Sequence, residues 1–96
     1  MLIWVMYDIV NDKCRNKLAK KCKEEGLYRV QKSVFFGEIN KTQLKELKVF
    51  TQDLIDLQKD SVYVFPMSKD ELNLAGLIGQ AFDKEMVSGE LISKFF

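Results

Sequence analysis

The chain has 96 residues, 47% of them hydrophobic and 30% charged, with 5 Gly, 1 Pro and no His. This length predicts one domain over residues 1–96, small enough that a lone subunit buries only a modest share of its surface, and the composition excludes a disordered tail or linker. The formal net charge of +1 hides an uneven spread: residues 1–48 hold 11 Lys and Arg against 6 Asp and Glu, whereas residues 49–96 hold 4 against 8.

The first element is "LIWVMYDI", residues 2–9, a continuous apolar and β-favouring run that predicts a central strand covered on both faces. Alternation places Leu2, Trp4, Met6 and Asp8 on one face and Ile3, Val5, Tyr7 and Ile9 on the other. The run is far shorter than the roughly 18 residues of a membrane span and has no signal-peptide pattern, so a cytoplasmic protein without membrane contact is expected. Asn11 or Asp12 can cap the next helix, whose Cys14, Leu18 and Cys22 recur every four residues until Gly26 stops it. Its two thiols stand about 12 Å apart along the axis, too far for a disulfide, and are expected to be free. The same helix carries Lys13, Arg15, Lys17, Lys20, Lys21 and Lys23. Such a density suits phosphate contact where exposed, although a solvated charged face is the plainer reading.

From Tyr28 the chain alternates, with Tyr28, Val30, Val34 and Phe36 on one side and Arg29, Gln31, Ser33 and Phe35 on the other. If this stretch is two strands, the break falls near Gln31 to Ser33, but no Asn-Gly or Asp-Gly turn marks it. Asn40 with Gln43 reads as a capping box opening a helix with a stripe of Leu44, Leu47, Phe50, Leu54 and Leu57. "SVYVFPM", residues 61–67, is a further strand, and Pro66 argues for an edge. A short helix near Lys69 to Ile78 and an extended segment ending in Phe95 and Phe96 follow. The order is the α+β, ferredoxin-like β-α-β-β-α-β arrangement with an additional C-terminal strand, two helices covering one face of an antiparallel sheet. The opposite face, bearing Trp4, Met6 and Phe35, is expected to lie open and to be buried by a homodimer or a ligand.

The missing His rules out imidazole-based triads, and two unclustered Cys cannot make a tetrahedral zinc site, so any metal would be a hard cation on oxygen ligands. Two strings are more specific. "YDI" followed by "DKCRNKL", and "GLYRVQKSVFFGEI" at residues 26–39, resemble the CRISPR-associated endoribonuclease family of spacer acquisition, the small second protein of the numbered Cas series. The resemblance covers residues 1–67. It implies a homodimer through the sheet face away from the helices, with Asp8 of each copy facing the other across the twofold axis and holding a magnesium ion (Mg2+) between them. Tyr7, Arg15, Arg29 and Phe35 match positions that the family associates with activity, Lys17 stands where a basic residue is often found, and Ser33 lies beside the axis. The family also implies cleavage of RNA or DNA, a larger CRISPR-associated integrase as partner, and a segment around residues 81–96 that adds a strand to the other subunit.

Elementary chemistry bears on each assignment. One carboxylate is too few for Mg2+, and two brought together repel unless a cation intervenes, so a dimer would build the site. Arg15 and Arg29 can hold phosphate charge bidentately, with Lys13, Lys17, Lys20 and Lys21 extending the basic surface. Asp8 could instead cap the helix that follows it. Tyr7 reads as core by alternation, and Phe35 and Trp4 as interface packing rather than base-stacking platforms. Three functions fit: a magnesium-dependent phosphodiesterase, a non-catalytic DNA-bridging scaffold for the integrase, and, least consistent with the basic helix, a small-molecule sensor.

Overall fold

A computed structural model of the chain describes residues 1–76 and 78. Its elements are β1 (Leu2–Asp8), α1 (Asp12–Glu24), β2 (Tyr28–Gln31), β3 (Val34–Glu38), α2 (Lys41–Leu54), β4 (Ser61–Met67) and α3 (Lys69–Leu74). The four strands form one antiparallel sheet in the ferredoxin-like order β2-β3-β1-β4. The apolar run of β1 is central because both of its neighbours pair along it, and among the described residues the proline-bearing β4 is the edge expected of it. The additional strand expected near residues 81–96 lies outside the described residues.

Local chemistry sets the ends of the helices. Asn11 caps α1 by accepting from the Cys14 amide, and Gly26 at φ 87° closes it, with the Gly26 amide donating to Lys23 and the Leu27 amide to Cys22. That paired closure needs a left-handed residue, which glycine supplies without strain. Asn40 and Gln43 form the capping box of α2. The α2 stripe stops at Leu54, however, and Leu57 is exposed. Asp60 explains the early stop: its carboxylate accepts from the amides of Asp56 and Val10, tying the chain into a turn before Leu57 can join the helix. The last helix likewise ends at Leu74, short of Ile78.

Two apolar clusters sandwich the sheet. On the helix side, Ile3, Val5, Tyr7, Phe35, Leu18, Cys22 and Leu47 are buried together. Burial pushes the Cys22 thiol up to about 12, so it behaves as a small hydrophobe. Leu2, Trp4, Val30 and Phe36 form the second cluster on the other face, joined by Leu72 of α3. Two expectations are corrected here. Phe35 does not share a face with Trp4, because the register opposes Val5 to Phe35 and Trp4 to Phe36, which turns Phe35 toward the helices. Nor is the second face wholly open: Ser68 caps α3 straight after β4, the chain turns back, and Leu72 packs against Trp4 and its neighbours.

Candidate active site and nucleic-acid surface

Asp8 is the last residue of β1 and lies on the face of Trp4 and Met6, away from α1 and α2. Its side chain is exposed and makes no hydrogen bond or ion pair among the described residues. The alternative in which it caps α1 is overturned, since Asn11 does that work. Among the described residues no group of three or more His, Cys, Asp or Glu side chains could hold a metal within one chain.

Tyr7, Arg29 and Phe35 meet on the opposite face. The Tyr7 hydroxyl donates to the Lys32 carbonyl at 3.3 Å, Arg29 Nε donates to the same carbonyl at 3.2 Å, and Arg29 Nη2 reaches the Tyr7 oxygen at 3.5 Å. The Arg29 guanidinium lies 5.3 Å from the centre of the Phe35 ring, which in turn stacks on Tyr7. These contacts explain how β2 and β3 are joined by only Lys32 and Ser33 without a glycine: the Tyr7 amide also donates to the Ser33 carbonyl, so β1 holds the turn from below. Phe35 is fully buried and Tyr7 nearly so, which leaves neither ring surface for a nucleobase.

Arg15 donates to the Ile9 carbonyl at 3.0 Å and to the Asp12 carboxylate. Together with Asn16, Arg29, Gln31, Lys32 and Ser33 it lines a hollow between α1 and the β2–β3 turn. The structure thus brings Arg15 and Arg29 to one hollow, and Asp8 leaves β1 on the face opposite Arg29. Lys13, Lys17 and Lys20 are exposed at helical spacing along one side of α1, whereas Lys21 pairs with Glu25 at 3.1 Å and lies over Phe50. The bond to Glu25 raises the Lys21 pKa. Sequence reasoning missed Asn16, Gln31 and Lys32 as neighbours of the two arginines; the break suspected near Gln31 to Ser33 was the available signal.

The chain as a whole is similar to known proteins. The family model described as CRISPR associated protein Cas2 matches residues 1–73. The chain belongs to the Cas2 family. It is 38% identical over 74 residues to a CRISPR-associated endoribonuclease Cas2 of Desulforudis audaxviator, covering 77% of this chain and 70% of that one. It is 36% identical over 75 residues to a CRISPR-associated endonuclease Cas2 of Halalkalibacterium halodurans, covering 73% and 77%. The crystal structure of Streptococcus pyogenes Cas2 at pH 6.5 superposes with a TM-score of 0.71 at 26% identity, covering 82% of this chain and all of that one. Among the described residues of this Cas2-family chain, no helix is long and apolar enough to cross a membrane.

Proposed function

We propose that this Cas2-family chain is a magnesium-dependent phosphodiesterase subunit of CRISPR adaptation, acting as a homodimer on RNA or DNA and assembling with a CRISPR-associated integrase. The observation that carries the reading is Asp8: an exposed carboxylate without a partner among the described residues, at the end of the central strand, on the face away from the helices. The donor set suits a hard cation, but a single carboxylate per chain is too few, so the fit requires a second copy across a twofold axis. Bound there, Mg2+ would supply Lewis-acid polarisation of a phosphoryl oxygen and a water ready for attack. Arg15 and Arg29 would neutralise phosphate charge beside the strand end, and Tyr7 and Phe35 would hold Arg29 and the β2–β3 turn in place.

The test is cleavage of short RNA and DNA strands with Mg2+ and with EDTA, by the parent and by Asp8→Asn. Loss of Mg2+-dependent cleavage in a folded Asp8→Asn variant is expected, and cleavage at the parent rate would refute the metal role. Sedimentation should show a dimer at micromolar concentration; a folded monomer that still cleaves would remove the shared site. The DNA-bridging reading draws on a separate observation, the exposed row of Lys13, Lys17 and Lys20 on α1, which needs no carboxylate to hold a backbone. It gains if Asp8→Asn changes nothing while Lys13, Lys17 and Lys20 replaced together by Ala weaken DNA binding.

A further inference from the structure

The hollow beside the β2–β3 turn is lined by three cationic residues, Arg15, Arg29 and Lys32, by the polar Asn16, Gln31 and Ser33 and by Val30, with no Asp or Glu in its lining. Both guanidinium groups are anchored by backbone acceptors, Arg15 by the Ile9 carbonyl and Arg29 by the Lys32 carbonyl, and Arg15 is also paired with the Asp12 carboxylate, which leaves Arg29 and Lys32 as the uncompensated cations of the hollow. Each has five N–H donors, so anchoring leaves others for a ligand and holds them in position before it arrives. Lys32 makes no ion pair among the described residues. Such a site suits a phosphate oxyanion.

Its position decides which phosphate. Arg29 packs on Phe35, on the helix side of the sheet, whereas Asp8 stands on the other side of β1. A phosphate seated on Arg29 and Lys32 would therefore lie on the helix side, while Asp8 faces the other way. We infer that this hollow is a subsite for a non-scissile backbone phosphate of the bound nucleic acid, with Lys32 as a substrate-binding residue, so that a strand crossing the end of β1 is held at one phosphate while another lies at Asp8. The inference rests on the nuclease reading for its second half only; the phosphate site itself does not depend on cleavage.

The experiment measures binding of a labelled 12-nucleotide strand, as RNA and as DNA, in EDTA, to the parent, Lys32→Ala, Lys32→Arg and Asp8→Asn. Lys32→Ala leaves the backbone carbonyl that clamps the turn, so the fold is retained. It should weaken binding severalfold and lower the salt slope by about 0.7 to 0.9 per lost phosphate contact, and Lys32→Arg should restore both. In the cleavage assay the loss should fall on KM. Parent-like affinity and salt slope in Lys32→Ala would overturn the subsite, and a loss confined to kcat would place Lys32 at the scissile phosphate instead. If Asp8→Asn cleaves like the parent while Lys32→Ala still loses binding, the metal reading fails and the phosphate site stands.

Discussion

Tyr7→Phe separates a structural from a chemical role for the residue that the family resemblance ties to activity. The hydroxyl donates to the Lys32 carbonyl and accepts from Arg29, at 3.3 and 3.5 Å, both long for hydrogen bonds. The Lys32 carbonyl keeps its bond from Arg29 Nε when the hydroxyl is removed, so no buried acceptor is orphaned. The ring keeps its stacking on Phe35. The cost should therefore sit near the usual net value of a hydrogen bond, about 1 kcal/mol, which for a domain of this size lowers Tm by roughly 4–8 °C. Since only 6% of Tyr7 is exposed and its hydroxyl is engaged by the Lys32 carbonyl and Arg29, cleavage should stay within a few-fold of the parent at a temperature well below Tm. Thermal unfolding and the RNA cleavage assay on the same preparation check both halves. A Phe variant with unchanged Tm and no activity would refute the reasoning and make Tyr7 a catalytic residue.

Phe35 tests the same distinction by packing alone: as a fully buried ring it should cost about 3–5 kcal/mol as Phe35→Ala, enough to unfold a marginal domain, whereas Phe35→Leu should melt lower yet still cleave. A folded but inactive Phe35→Leu would contradict this. Native protein treated with iodoacetamide at pH 8 should be alkylated at Cys14, which is half-buried, and spared at Cys22, with both modified in denaturant, as mass spectrometry would record. The sign of the accompanying pH effect follows from the raised Cys22 pKa. Its thiol ionises near 9 when unfolded and near 12 when folded, so its contribution to stability is intact below pH 9 and is lost as pH rises through that window. Cys22→Ala should flatten this part of the stability profile.

Helix starts and stops were legible because they depend on neighbours in the chain: Asn11, Asn40 with Gln43, and Gly26 each bond to residues within five positions. The strands and their alternating faces were legible for the same reason, since period two is a property of one strand. Which way the Phe35 face points was not. It depends on Val5 lying opposite Phe35, a pairing across 30 residues that local alternation cannot express. The exposed Leu57 was missed because the Asp60 carboxylate that turns the chain is silent in a hydrophobic pattern. The same limit applies to the site. The residues Asp8, Tyr7, Arg15, Arg29 and Phe35 could be named from the sequence. Only the tertiary structure put Asp8 on one side of the sheet, gathered Tyr7, Arg29 and Phe35 on the other, and brought Lys32 and Asn16 beside the arginines. Short-range hydrogen bonds and periodicity are written in consecutive residues, whereas a site built across strands depends on register, and register is set by packing between segments far apart in the chain.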